Sequence, residues 1–471
     1  MIKTYFEQQI KAKFGFQPTF QQEKTIKSLS EYLFSHEEGQ VFVLKGYAGT
    51  GKTALISALV KVLVETKQKV MLLAPTGRAA KVFSNYAEHP AFTIHRRIYR
   101  EKSFGLESGF DLNFNKYPNT LFIVDEASMI ANSGLSGSFF GTGRLLDDLI
   151  SFVFQGENCK LILMGDTAQL PPIGEEQSPA LSLSELKRHG LNVCCTELTE
   201  VVRQSAESGI LFNATKIRQL IHEESFFDFP NIRWNGFSDI CPVPGNELIE
   251  SLISSYSKVG EDETIVICRS NKRANIYNNG IRNQILDRED ILCRGDRVMI
   301  AKNNYFWTEK IKEIDFIANG DLAVVKRIRN IREMYGFEFA DVTLEFPDYD
   351  NVEIEATILL NTLQSESPAL SKEESEKLFL NVLEDYIDLP IKKDRMQGIR
   401  SNPYYNALQV KYAYAVTCHK SQGGQWSHVF LDQGFVTQES LTPEYFHWLY
   451  TAFTRATEKL FLVNWTTKKG A

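Results

Sequence analysis

Four short apolar runs stand out in the first part of the chain: VFVLKG (41–46), KVMLLAP (69–75), TLFIVDE (120–126) and KLILMGD (160–166). Each has the length of a strand, and several end in glycine, proline or an acid. Helical patterns separate them, such as the stretch from Thr53 to Glu65. Strand and helix in alternation predict a parallel α/β sheet, with the chemistry on loops that follow strand ends.

A second set begins near residue 190, with TIVICRS (264–270), VKYAYAV (410–416), HVFLD (428–432) and LFLVNW (460–465). It predicts a second α/β layer with its own core. The stretch between differs in character. GDRVMIAKN, GDLAVVKRIR, FADVTLEF and NVEIEATIL are short β-type segments with turn residues between them, which predicts a small barrel. LSKEESEKLFLNVLEDY (370–386) then reads as one amphipathic helix. The expected division is a first domain over 1–190, a second built from 191–290 and 405–471, and an insert over 291–404.

Composition narrows this picture. The 471 residues exceed one core, since single domains run to about 100–200 residues. The net charge of −7 excludes a wholly basic coat, so any phosphate-binding surface must be a local groove in an acidic body. No run of about 18 apolar residues occurs, so no membrane span is expected. The start, MIKTYFEQQIKAKFGF, lacks the features of a secretory signal, and a cytoplasmic location is expected. The seven cysteines include one close pair, the adjacent Cys194-Cys195, and no zinc-type spacing, so reduced thiols are expected.

Gly46-Tyr47-Ala48-Gly49-Thr50-Gly51-Lys52-Thr53 fits G-x-x-x-x-G-K-[ST] and sits between a strand and a helix, the context that pattern requires. Glycines let backbone N–H groups wrap phosphate oxygens, and the helix start adds a positive dipole end. Lys52 is expected at the β- and γ-phosphates and Thr53 at Mg²⁺. Asp125-Glu126 ends the strand LFIV. An acid at such a strand end holds Mg²⁺, and a neighbouring carboxylate can polarise the attacking water. Asp125 is therefore assigned to the metal and Glu126 to the base. These features define an NTPase of unspecified kind.

Further segments carry a more specific resemblance. They are Thr19-Phe20-Gln21-Gln22, Ala74-Pro75-Thr76-Gly77-Arg78-Ala79-Ala80-Lys81, Thr93-Ile94-His95-Arg96 and Val124-Asp125-Glu126-Ala127-Ser128-Met129. Gly165-Asp166-Thr167-Ala168-Gln169-Leu170-Pro171-Pro172 and Leu198-Thr199-Glu200-Val201-Val202-Arg203-Gln204 follow. Thr417-Cys418-His419-Lys420-Ser421-Gln422-Gly423 and Tyr450-Thr451-Ala452-Phe453-Thr454-Arg455-Ala456 close the set. In this order the chain resembles superfamily 1 helicases of the 5′→3′ branch, the RecD-like and phage Dda-like proteins. One departure is Gly424-Gln425, where many relatives carry an acid that contacts the ribose.

The resemblance implies two RecA-like parallel-sheet motor domains, a β-hairpin pin inserted at 96–117, and an SH3-like β-barrel as the insert. It implies ATP with Mg²⁺, held by Gln22 at the adenine and by Gly46, Ala48, Gly49, Thr50, Gly51, Lys52 and Thr53 at the phosphates. Gln169 would sense the γ-phosphate, and Arg203 and Arg455 would reach it. Pro75, Thr76, Arg78, Thr93, His95, Lys302, Asn303 and His419 would hold the strand. Phe104 and Phe110, placed near the pin's tip, would stack on the opening base pair. Lys326, Arg327, Arg329 and Arg332 read equally well as a strand contact or a solvated face. The expected partners are single-stranded and tailed duplex DNA, met by a monomer, with replication or repair factors beside it. A DNA-stimulated ATPase or translocase, or an exonuclease-complex subunit without unwinding of its own, stays open, as does RNA in place of DNA.

Overall fold

The apolar runs become strands of two parallel sheets and a barrel in the computed structural model, which describes residues 2–101, 110–134, 140–201, 207–308, 311, 314 and 316–465. The chain forms two units. One comprises Met1–Asp239, Gln422–Gly424 and Val436–Thr454, the other Ile240–Ser421, Gln425–Phe435 and Arg455–Ala471.

The first unit carries β1 (Gln40–Gly46), β2 (Lys69–Ala74), β3 (Ala91–Thr93), β4 (Tyr99–Glu101), β5 (Phe110–Leu112), β6 (Thr120–Val124), β7 (Lys160–Gly165) and β8 (Asn192–Leu198). Six of these form a parallel sheet in the order β3-β2-β6-β7-β1-β8, and β4 with β5 forms an antiparallel pair. The central strands are buried along nearly their whole length, which is why they read as unbroken apolar runs. Helices Ile2–Phe14, Phe20–Leu33 and Lys52–Glu65 bring Ile10, Ile26, Leu29, Leu55 and Leu59 into one core with Phe42, Leu44 and Ile123. Burying each such side chain stabilises by about 1.5–3 kcal/mol, so the loops at the strand ends stand on a rigid platform.

The boundary expected at residue 190 is corrected. β8 runs beside β1 from Gln40↔Asn192 to Gly46↔Leu198, and the first unit continues to Asp239. β8 is an edge strand, NVCCTEL, mostly exposed or half-buried, so it lacks the apolar run that marks the others.

The second unit carries β9 (Ile240–Val243), β10 (Thr264–Cys268), β11 (Arg297–Ile300), β12 (Leu322–Met334), β13 (Phe337–Phe346), β14 (Val352–Leu359), β15 (Leu408–Tyr412), β16 (Ala415–Thr417), β17 (Trp426–Asp432) and β18 (Ala456–Val463). Its parallel sheet has the order β16-β10-β17-β18-β9, and β11 to β15 close a barrel. The run VKYAYAV is therefore shared. Its first part closes the barrel against β11 and β14, and its last part enters the sheet, so the insert extends to Tyr412 rather than 404. Hydrophobicity alone could not divide it, because both halves are buried.

Two helices lie between β14 and β15, Lys372–Glu384 and Lys392–Ser401, where one was expected. They pack Leu378, Val382 and Ile399 onto Phe337, Phe339 and Leu359. The second, KKDRMQGIRS, buries only Ile399 and so shows no apolar period. A buried ion pair joins helix Asn271–Gln284 to the barrel's start. Asp296, fully buried, accepts Arg282 Nε at 3.0 Å, Arg282 Nη2 at 2.9 Å and the Cys293 N–H at 2.7 Å.

Candidate functional site

The phosphate loop leaves β1 and enters helix Lys52–Glu65. Gly51 caps that helix at φ 83°, and a Cβ there would lie 2.8 Å from Gln22 Nε2. Glycine is thus required twice over at this point, by handedness and by space. Lys52 Nζ donates to the carbonyls of Gly46 and Tyr47, which keeps its charge at the mouth of the loop. Thr53 follows in the first helical turn.

Helix Phe20–Leu33 holds this loop from outside. Gln22 is 1% exposed, accepts the Thr19 N–H at 3.0 Å and donates to Thr50 O at 3.0 Å. Both ends of its amide serve the protein, the first as half of a capping box with Thr19. In this structure Gln22 props the phosphate loop. Its neighbour Gln21 reaches the other way, accepting the N–H groups of Thr199 at 2.6 Å and Glu200 at 3.1 Å.

Asp125 and Glu126 follow β6, the strand two places from β1. Glu126 sits in the left-handed region at φ 50°, a conformation costing a non-glycine residue about 1–3 kcal/mol and concentrated at functional sites. Its N–H donates to Asp125 Oδ1 at 2.7 Å. Burial, and after it the Glu126 charge, push the Asp125 carboxyl up to about 7, while Lys52 acts in the opposite sense. The pair is short of positive charge. That deficit and the oxygen donors fit a divalent cation completed by phosphates rather than an all-protein cage. Among the described residues no cluster of three or more His, Cys, Asp or Glu side chains could hold a metal by itself.

β7 ends next door and leads into Asp166-Thr167-Ala168-Gln169-Leu170. Gln169 is 7% exposed, and its Oε1 has no hydrogen-bond partner among the described residues. Ser128 Oγ, beside the acid pair in sequence, is buried and without a partner in the same sense. An unpaired buried oxygen is costly, and at a ligand site it marks a group awaiting one. The segment Gln422–Gly424 belongs to this same unit. Gln422 Nε2 donates to Leu170 O at 2.7 Å, and a Cβ on Gly423 would lie 3.1 Å from Thr76 Oγ1 and 3.0 Å from Ala79 Cβ. One short segment thus touches both the stretch 166–170 and Thr76.

The expected strand contacts divide between the units. Pro75 and Thr76 follow β2, and Thr93 ends β3, whose register sets Thr93 beside Ala74. Both threonines are N-caps, accepting the N–H groups of Ala79 at 3.2 Å and Arg96 at 3.3 Å. Arg78 lies half-buried in the first turn after Thr76. His95, another expected strand contact, packs against aromatic rings. Burial lowers its pKa to about 4, and its ring lies 4.7 Å from that of Phe140 and 5.6 Å from that of Tyr99. It is a neutral member of an aromatic cluster. In the second unit Asn303 Oδ1 accepts the Asn319 N–H at 2.6 Å, and Asn319 Oδ1 accepts from Lys420, next to the half-buried His419. Lys302 is exposed beside them. Asn319 and Lys420 join these candidates, a grouping that sequence order conceals.

Phe110 is corrected from tip to stem. It pairs with Glu101 as the first residue of β5, and its ring lies 5.1 Å from Phe140. Phe104 and Arg203 lie outside the described residues. Arg455 is 2% exposed in the turn just before β18, where its carbonyl accepts the Trp426 N–H at 3.0 Å. The basic cluster on the barrel is largely paired along the strand ladder. Lys326 meets Glu345 at 2.8 Å, Arg329 meets Glu355 at 3.1 Å, and Arg332 meets Asp341. That favours the solvated face over a strand contact.

A phosphate loop, a strand-end acid pair and a second parallel sheet interrupted by a barrel define a nucleotide-binding P-loop protein with tandem RecA-like sheets. An AAA domain model matches residues 22–220, and a UvrD-like helicase C-terminal domain model matches residues 412–463. The chain thus carries an AAA domain and a UvrD-like helicase C-terminal domain, and its relatives include RecD-like and Dda-like helicases of superfamily 1. It is 23% identical to the ATP-dependent RecD2 DNA helicase of Deinococcus radiodurans over 90% of this chain and 46% of that protein. It is 26% identical to the ATP-dependent DNA helicase dda of Enterobacteria phage T4, over 57% of each chain. The chain thus spans about half the length of these two helicases. An uncharacterised protein of Acanthamoeba polyphaga mimivirus is 23% identical over 93% of this chain and 98% of its own. The solved Pif1 helicase from Bacteroides in complex with ADP-AlF3 and single-stranded DNA is 16% identical, with a TM-score of 0.47, over 96% of this chain and 93% of that one. Among the described residues no helix is long and apolar enough to cross a membrane.

Proposed function

We propose that this chain is an ATP-driven helicase that moves 5′→3′ along single-stranded DNA and separates duplex ahead of it. The observation that carries this reading is the placement of Gln422–Gly424. Gln422 holds the carbonyl next to Gln169, while Gly423 abuts Thr76 in the expected strand segment. A nucleotide sensor and a strand contact so tied together suit a motor more than a plain NTPase. The names of the Deinococcus and phage T4 relatives, both ATP-dependent DNA helicases, support DNA as the track.

Lys52 and the loop's N–H groups would take the β- and γ-phosphates. Thr53 and Asp125 would hold Mg²⁺, which supplies charge neutralisation at the phosphate oxygens. Glu126 accepts a proton as water attacks the γ-phosphorus and the bond to the ADP oxygen breaks. Arg203 and Arg455 are assigned to the charge that develops on the γ-phosphoryl oxygens, and Gln169 to sensing it. The stretch 96–117 is assigned to the pin, and the protein is taken to act as a monomer alongside replication or repair factors.

ATP turnover measured with and without single-stranded DNA tests this. Strand is expected to raise turnover by roughly 10²-fold or more, because one arginine brought to the phosphate is worth about 10³–10⁵. Glu126→Gln should still bind nucleotide but lose turnover by about 10²–10⁴. Turnover indifferent to the strand, or retained in Glu126→Gln, would sink the reading.

A further inference from the structure

The phosphate loop has a partner far along the chain that its motif does not include. Tyr450, in helix Pro443–Phe453 of the first unit, is 1% exposed. Its phenol oxygen accepts the Ala48 N–H at 3.0 Å and donates to Asp166 Oδ2 at 2.7 Å. Asp166 is itself 1% exposed, and its other oxygen accepts the Ala168 N–H at 2.9 Å. The same helix clasps the rest of the stretch 166–170. His447 Nδ1 lies 2.9 Å from Ala168 O, Thr451 Oγ1 accepts the Leu170 N–H at 2.8 Å, and Thr451 donates to His447 O at 2.7 Å. Gln169, with its unpaired oxygen, lies between the two clasped residues.

We infer that Tyr450 is the positioning residue that links the phosphate loop to the Gln169 segment, through the relay Ala48 N–H to Tyr450 O–H to Asp166. The link rests on the motor reading above and adds to it the route by which the loop and the sensor are kept in step. A phenol has one proton to give. Donating it to Asp166 turns the oxygen's lone pairs toward Ala48, so the two bonds fix each other's direction. Tyr450 and Asp166 are buried and Ala48 half-buried, and leaving either buried group unpaired is costly. A phosphate that drew the Ala48 N–H to itself would strip the phenol of its donor, and the change would reach Asp166, three residues before Gln169. Burial, and after it Asp166, hold the phenol's pKa far above its ordinary range, so the proton stays in place. Tyrosine is needed here for its hydroxyl, not merely for its ring.

The test is the ratio of strand-stimulated to unstimulated ATP turnover in Tyr450→Phe, which keeps the ring and removes the relay. That ratio should fall by about tenfold or more, the usual scale for losing a hydrogen bond to a charged group. The loss should appear in kcat more than in KM. Combined with Gln169→Ala, it should be no worse than the stronger single change within about twofold, because both act on one link. A purely structural role would lower both turnovers together and leave the ratio alone. A wild-type ratio with an unchanged variant ratio, or losses that multiply in the double variant, would overturn the inference while leaving the motor reading intact. Absence of stimulation in the wild type would overturn both. Should Tyr450→Phe fail to fold, Asp166→Asn keeps an acceptor oxygen but not the charge, and the same ratio is read.

Discussion

Individual side chains divide into those whose type announces their task and those whose task is set by their neighbours. Lys52, Asp125 and Glu126 belong to the first kind, because the phosphate and metal chemistry proposed for them demands those groups at those spacings. Gln22, His95 and Tyr450 belong to the second. Gln22 props the loop because the helix start needs a capping partner, and His95 is neutral because aromatic rings enclose it. Nothing in sequence spacing joins Tyr450 to Ala48, since their contact spans the length of the first unit's chain segments. Asp321 offers a test at this scale. It is 3% exposed, and burial pushes its carboxyl up to about 7 despite hydrogen bonds from the Ala318 N–H and the Tyr349 hydroxyl. In the unfolded chain its pKa is about 3.9. The folded state therefore favours the protonated form. That stabilisation is complete below about 3.9 and is lost as pH rises through about 7. Chemical denaturation followed from pH 5 to 8 should show a loss of stability that is shallower in Asp321→Asn than in the wild type. Parallel pH profiles for the two proteins would contradict the assignment.

At the scale of elements, the central parallel strands were legible because burial on both faces leaves an unbroken apolar run. β8 was not, since an edge strand mixes exposed and half-buried positions. Nor was the division of residues 408–417 between barrel and sheet, because both uses demand apolar side chains. The helix Lys392–Ser401 escaped for the opposite reason, burying a single residue. What fastens the barrel is also invisible in periodicity: the buried Asp296 and its donors Arg282, Cys293 and Tyr414. Asp296→Ala leaves the Arg282 guanidinium buried without its counter-charge, a change that costs about 3–5 kcal/mol. The midpoint of chemical denaturation should drop accordingly in the second unit, whereas a shift near zero would mean that water or another group had replaced the carboxylate.

For the whole molecule, the charge of −7 forbids a generally basic surface, and the paired cations on the barrel fit that restriction. In the proposed motor, strand binding would then fall to a few local groups and to neutral polar residues, such as Thr76, Thr93 and Asn303. The order of motifs along the chain carried the family resemblance, but polarity of movement has no single residue behind it. The measurement that bears most directly on the proposed motor is ATP-dependent strand displacement on duplexes carrying a 5′ or a 3′ single-stranded DNA tail, with Glu126→Gln as the control. Displacement of the 5′-tailed duplex by the wild type, little on the 3′-tailed one and none with Glu126→Gln is expected. Displacement that ignores ATP, or none on the 5′-tailed duplex despite strand-stimulated turnover, would contradict it.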